Sequence, residues 1–310
     1  MAHVDRNHPV RAASSESDYT LMDFMRDFPD DATCLNWLWR TRYSADGEHA
    51  LCDTCGKRRA FKRYVTAQQR QSWTCTTCGT HVHPTAGTIF HKSSTSLHLW
   101  FYAMYLMTST RCGISAKQLE REIGVTYKTA WRMMHLIRQD VMYDEGEPLG
   151  GTVEMDETYV GGKRRGTPRG RPGRGSHKTA VFGMVERGTR IAAYTVPNVT
   201  GAELLSHVEK RVLPSSMIYT DELASYNRLT DRGYGHKRVN HSAGVYVSGD
   251  VHTNTMEGFW ALLKNGIRGV YHSVSAKHLQ GYLSEYVWRW NHRDQPAAMF
   301  LALLLRAAQP

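Results

Sequence analysis

The chain lacks an apolar run long enough to cross a bilayer. Its longest, Leu99–Met107 and Met299–Leu305, fall far short of the ~20 residues a spanning helix needs, so no membrane partner is expected. The opening stretch MAHVDRNHPVRAASSESDY has no apolar core of the secretory kind, and a soluble, cytoplasmic chain is expected. Cysteine is sparse. Six in 310 residues, without an export signal, argue against a disulfide framework and for metal binding. Acid is the minority charge, 29 Asp and Glu against 39 Lys and Arg, for a formal net charge of +10. That excess points to an anionic partner, nucleic acid first. Core material is plentiful: 41% hydrophobic and 10% aromatic residues exclude a disordered chain. The length allows two domains, or one with appended modules.

Four cysteines form two pairs, Cys52/Cys55 and Cys75/Cys78, each C-x2-C, with nineteen residues between the pairs. Each pair turns two thiolates toward one centre, and four soft ligands suit tetrahedral Zn²⁺. With every position filled by protein the ion would be structural. Phe61–Arg63 and Gln71–Thr74 read as short strands of a zinc ribbon, and Lys57, Arg58, Arg59, Lys62 and Arg63 give it a phosphate-seeking composition. His81 and His83 read as surface groups, and Cys34 as a packed core residue. The modules expected are a helical segment (1–46, including a helical stretch Met22–Tyr43), the ribbon (47–92) and a helical region (93–145). In the last, Leu97–Thr108 is an apolar helix. Ser115 reads as an N-cap before Leu119 and Ile123, and Gly124-Val125-Thr126 breaks the chain before a second helix, Tyr127–Arg138. Two helices about a glycine turn fit a helix-turn-helix that offers Lys128, Thr129 and Arg132 to DNA, although any helical hairpin fits the same pattern.

Beyond an acidic boundary at 140–150 the apolar period changes from 3.6 towards 2, and residues 146–310 read as one further domain. In GTVEMDETYVGG, Val153 and Met155 alternate with polar residues as in a half-buried strand, and Asp156 and Glu157 stand at its expected end. The same acids also fit a solvated turn. The following loop, 161–176, has six basic residues (Lys163, Arg164, Arg165, Arg169, Arg171 and Arg174), six glycines and no acid, which draws it to phosphates. Thr179–Val185 and Arg190–Val196 form a hairpin pattern, Ala202–Val212 a helix, Ser216–Thr220 a strand ending at Asp221, and Val245–Val247 a weak strand. Asn254–Gly266 and Gln280–Trp290 are helices. Glu257 lies in the first turn of the former, thirty-five residues separating it from Asp221. Cutting DNA requires attack on phosphorus while the opposite oxygen leaves, and two Mg²⁺ ions about 3.5–4 Å apart, held by carboxylates from several elements, stabilise both oxygens. Asp156, Asp221 and Glu257 supply such a set. Lys264, two helical turns after Glu257, can hold a phosphate.

The ribbon cysteines, MDETYVGGK at 155–163, IYTDELASYNRL at 218–229 and HTNTMEGFWALLKNGIRGVYHSVSAKHLQGYL at 252–283 together resemble a known family. It is the bacterial insertion-sequence transposases that join a zinc ribbon to a DDE domain of ribonuclease-H-like fold, the ISXO2-like, Merlin-related group. The resemblance implies an α+β multi-module chain: zinc ribbon and helix-turn-helix, then an α/β ribonuclease-H-like catalytic domain. It implies Asp156 and Asp221 as catalytic aspartates, with Mg²⁺ (or Mn²⁺) and structural Zn²⁺ as cofactors. The third position is glutamate or asparagine in this group. Spacing favours Glu257, leaving Asn254 as an auxiliary ligand or the helix N-cap. His241 and His252 lie near these motifs and read as surface groups that can touch metal or DNA. The partner implied is double-stranded DNA, the element's terminal inverted repeats and its target, bound by a homo-oligomer. Two competing readings stay open: a DNA-binding regulator with an inactive transposase-like domain, and a structure-specific nuclease.

Overall fold

Pro29 breaks the helical stretch expected over Met22–Tyr43 in the computed structural model, which describes residues 19–65, 71–110, 112–161, 178–239, 250–294 and 296–310. Phe28, forced out of the helical region by the proline after it, ends α1 (Leu21–Asp27), and Asp30 starts α2 (Asp31–Arg42) by accepting a hydrogen bond from the Thr33 amide at 2.7 Å. At the other end of α1, Thr20 and Asp23 form a reciprocal capping box. These helices belong to the first of two compact units, Met1–Arg111 with Glu120–Thr126 and Asp294–Pro310. Its sheet is an antiparallel meander in the order β1 (His49–Cys52), β2 (Lys57–Val65), β3 (Gln71–Cys75), β4 (His81–Val82). Trp39 of α2 lies flat on Trp73 of β3, ring centroids 4.9 Å apart, and its indole N–H donates to the Gly47 carbonyl at 2.9 Å. The apolar helix α3 (Leu97–Ser109) buries Phe101 and Met104. The last helix, Pro296–Ala307, whose sequence position puts it with the domain starting at 146, packs in this unit instead. Phe300 there meets Phe24 and Tyr105 at 5.8 and 5.9 Å.

Helices α4 (Ala116–Ile123) and α5 (Tyr127–Leu136) flank Gly124, whose φ of +66° suits the residue ending a helix. Ser115 caps α4 by accepting from the Gln118 amide at 3.1 Å. A π-helical turn, Ile137–Val141, continues α5.

The second unit is Cys112–Leu119 with Tyr127–Arg293. Its mixed sheet contains β5 (Thr152–Val160), β6 (Thr179–Glu186), β7 (Ile191–Val196), β8 (Met217–Thr220) and β9 (Gly235–Arg238), in the spatial order β7-β6-β5-β8-β9. β6 runs antiparallel to both of its neighbours, β5 and β7, whereas β8 runs parallel to β5 and β9 parallel to β8. Both faces are covered. Val153, Met155, Phe182 and Met184 pack with Leu204 and Val208 of α6 (Gly201–Arg211). Val181 and Val185, one residue out of phase, pack with Phe259 and Trp260 of α7 (Asn254–Gly266) and Leu283 of α8 (Leu279–Asn291). The alternation in β5 therefore does not mark a wet face: Val153, Glu154 and Met155 are all fully buried.

A polar cluster lies inside this unit. Glu285 of α8, inaccessible to solvent, accepts from Arg138 Nε at 2.7 Å and Arg289 Nη2 at 3.0 Å, and from the Tyr271 hydroxyl. Burial pushes its pKa up, but the two guanidinium groups outweigh that and hold it below the ordinary glutamate value. The weak strand expected at Val245–Val247 lies outside the described residues. The fifth strand is β9, a polar GHKR segment. No helix among the described residues is long and apolar enough to cross a membrane.

Candidate active site and metal centres

In the meander, Cys52 and Cys75 end β1 and β3, and the turn after each brings round Cys55 and Cys78. Gly56 and Gly79 follow them with φ of +64° and +77°, returning amides to the Cys52 and Cys75 carbonyls at 2.8 and 2.9 Å. Each knuckle needs this left-handed residue to double back. The four sulfurs lie within 4.8 Å of one another, Cys52 and Cys78 at 3.5 Å. Ligands ~2.3 Å from a shared tetrahedral zinc would be about 3.8 Å apart, so the donor set fits that ion. Hydrogen bonds from Thr80 lower the Cys78 thiol to about 6, ready to bind as thiolate. His81 Nδ1 is engaged instead by the Thr74 hydroxyl at 2.9 Å.

Three carboxylates meet in the second unit. Extending the β5/β8 register, which pairs Glu154 with Tyr219, two residues further brings Asp221 level with Asp156. Asp156 does not end its strand, as the sequence pattern suggests. It is central in β5, which continues to Val160 against β6, and only the pairing with β8 stops before it. That opening on the β8 flank leaves room for side chains from both strands. Oxygens of Asp156, Glu157 and Asp221 lie within 4.8 Å of one another, and all three residues are half-buried.

Each acid is held. Trp260 Nε1 donates to Asp156 Oδ2 at 3.0 Å, the Tyr226 hydroxyl to Glu157 Oε2 at 2.9 Å, and the Leu223 amide to Asp221 Oδ1 at 2.9 Å. Trp260 can lie this close because Gly183 is the residue of β6 opposite Asp156. A Cβ there would stand 2.7 Å from the indole. Burial, then the charges of Glu157 and Asp221, raise the Asp156 carboxyl to about 7. Crowded anions of this kind are relieved by a divalent cation, and an all-oxygen set fits Mg²⁺ or Mn²⁺.

Glu257 is exposed in the first turn of α7, 3.3 Å from the Thr253 hydroxyl, and is not a member of the acidic group. Asn254 is exposed at the first position of α7. The N-cap is Thr253, so Asn254 does not fill that alternative role. Lys264 is half-buried, and burial lowers its pKa against the opposing pull of Asp156. Lys128 and Arg132 are exposed on α5 and Thr129 is half-buried. Lys163, Arg164, Arg165, Arg169, Arg171, Arg174 and His241 lie outside the described residues. His252 is half-buried, its Nδ1 3.3 Å from Glu154. Sequence reasoning left two acids out of the site. Glu157 was signalled only by its adjacency to Asp156. Glu154 had no signal, because an acid alternating with apolar residues reads as solvent-facing.

Residues 148–291 match the family model described as the ISXO2-like transposase domain. A protein of Halobacterium salinarum, described as an uncharacterized protein in transposable element ISH50, is 30% identical over 300 residues, covering 92% of this chain and 99% of that protein. An uncharacterized transposase-like protein of Haemophilus influenzae is 30% identical over 105 residues, 34% of this chain and 84% of its own length. Among solved structures, the Mos1 strand transfer complex aligns with a TM-score of 0.27 and 14% identity, over 64% of this chain and 77% of the other.

Proposed function

Because this chain belongs to the ISXO2-like transposases, we propose that it cleaves DNA at the ends of a mobile element and joins the freed 3′-hydroxyls to target DNA. The observation that carries the reading is the meeting of Asp156, Glu157 and Asp221 at the one flank of β5 where strand pairing stops. Asp156 and Asp221 hold divalent metal, Mg²⁺ or Mn²⁺. The third ligand comes from the first turn of α7, Glu257 or Asn254, beside the Glu157 carboxylate already in the group. Bound there, the ions would stabilise the attacking and leaving oxygens of an in-line displacement at phosphorus. Lys264, on the helix that also carries Trp260, pairs with a phosphate oxygen.

The sheet order β7-β6-β5-β8-β9 supports a ribonuclease-H-like fold for this domain. The four thiolates hold structural Zn²⁺ in the ribbon. Lys128, Thr129 and Arg132 on a helix-turn-helix, with Lys163, Arg164, Arg165, Arg169, Arg171 and Arg174 of the glycine-rich loop, hold the double-stranded terminal repeats and target. Joining two ends calls for more than one copy of the chain on DNA.

The test uses a plasmid carrying the element's ends. Asp156→Ala and Asp221→Ala should each abolish Mg²⁺-dependent cleavage while leaving end binding in a gel-shift assay unchanged. Cleavage persisting in both variants would overturn the assignment, and wild-type end binding without cleavage would favour the regulator.

A further inference from the structure

Thr253, the N-cap of α7, donates its hydroxyl to the Glu257 side chain at 3.3 Å but accepts no hydrogen bond from the first-turn amides. The first-turn amides that a cap residue normally satisfies are taken by a residue from another element. Glu154 of β5, with no solvent exposure, accepts from the Thr255 amide at 2.9 Å and the Met256 amide at 3.3 Å through Oε2. Through Oε1 it accepts from the Thr255 hydroxyl at 2.9 Å and Arg187 Nε at 2.7 Å. Arg187 leaves the β6 end of the hairpin, donates through Nη2 to the His252 carbonyl at 3.1 Å, and lies over the Tyr219 ring at 4.8 Å. A buried carboxylate persists only where donors and positive charge compensate it. Here a guanidinium and the positive end of a helix dipole both do so.

The placement matters for the site. Glu154 and Asp156 are two residues apart on one strand and so share a face. Each grips α7, Glu154 at its first turn and Asp156 through Trp260 Nε1. Two attachments fix both the axial position and the rotation of a helix, where one would leave rotation free. The same helix carries Asn254, Glu257 and Lys264.

We propose that Glu154 is a positioning residue: its buried carboxylate docks the N-terminus of α7 on β5 and so sets the register in which α7 presents its first-turn ligand to Asp156 and Asp221. This rests on the reading of those two aspartates as metal-holding. Glu154 itself, with its oxygens occupied by α7 and Arg187, holds no metal.

The test is Glu154→Gln, which keeps the shape but turns an amide N–H₂ towards groups that are themselves donors. Titrated with Mn²⁺ alone, the zinc-loaded full-length variant should bind about 10–100-fold more weakly, the range for losing a residue that orients metal ligands. The amides of Thr255 and Met256 should exchange with deuterium faster, while those of β6 remain protected. Affinity within twofold of wild type, or unchanged exchange at those two amides, would overturn the proposal. A purely structural role would lower the melting temperature without moving Mn²⁺ affinity in the folded protein, and that outcome also counts against it. Should Glu154→Gln not fold, Thr255→Val removes only the hydroxyl donor, and the same two readouts should move in the same direction. Asp156→Asn separates the two layers of the argument. If that variant binds Mn²⁺ normally, the metal reading of the aspartates fails, and the exchange rates at Thr255 and Met256 alone decide the docking.

Discussion

Replacing Gly183 with alanine tests the packing that gives Asp156 its surroundings. The added Cβ would stand 2.4 Å from Met256 Cε and 2.7 and 2.8 Å from two ring carbons of Trp260. Carbon atoms rest about 3.5–4.0 Å apart, so the overlap approaches 1 Å. The methionine methyl can swing away. The indole, 3% exposed and bonded to Asp156, can yield only by shifting α7. Overpacking of this kind costs about 1–3 kcal/mol, and losing the hydrogen bond to a charged carboxylate adds about 1.5–3 kcal/mol. Together these total about 2.5–6 kcal/mol, and at about 2–4 °C per kcal/mol for a unit of this size the melting temperature should fall by about 5–24 °C. Gly258 is the control. It is exposed on α7 with nothing within 4 Å of an added Cβ, so alanine there should stabilise the helix by about 0.5–1 kcal/mol. Calorimetry and urea unfolding of both variants measure the two signs. A neutral Gly183→Ala, or two shifts of the same sign, would refute the description of α7 lying directly on β6.

Other perturbations follow from the same geometry. Glu285→Ala strands two buried guanidinium groups and should destabilise by about 3–5 kcal/mol in urea titrations; a loss under 1 kcal/mol would mean the cluster is hydrated. Zinc should bind at one ion per chain. Its removal should expose the β1–β4 amides to exchange and weaken end binding while β5–β8 stay protected, and normal end binding by the zinc-free protein would contradict the ribbon's role. The Asp156 carboxyl, at about 7 when folded against an ordinary 3.8, holds an extra proton in the folded state between those values. Its contribution to stability is therefore present at low pH and lost as pH rises through about 7, by at most about 4 kcal/mol. The difference in stability between wild type and Asp156→Asn, followed without divalent metal from pH 5.5 to 8, should show that slope, while Mn²⁺ affinity rises over the same range. A flat difference would contradict the crowding of the three acids.

What was legible in the sequence was what neighbouring residues determine. The C-x2-C pairs with glycine after each are complete local instructions, and the structure brings all four sulfurs together. The bounds of α7 follow from its 3.6-residue apolar period and match at Asn254–Gly266. Asp221 was readable as the end of a short apolar strand. What was missed depends on partners distant in the chain. Glu154 looks solvent-facing until α7 and Arg187 cover it. Asp156 looks like a strand end because the site is defined by where β8 stops, not by where β5 does. Strict alternation sends Asp156 and Glu157 to opposite faces, and only the missing neighbour beyond Glu154 lets both side chains reach the open flank. β9 has no apolar pattern because GHKR is an edge strand. The last helix, apolar on every side, carried no mark of which unit it would join.

The most direct measurement is anomalous scattering from a Mn²⁺-soaked crystal of the zinc-loaded protein. The account predicts manganese peaks between Asp156 and Asp221, in contact with both carboxylates, and the nearest side chain of α7 identifies the third ligand as Glu257 or Asn254. Manganese peaks found only away from these aspartates, at a concentration that supports DNA cleavage, would contradict the account.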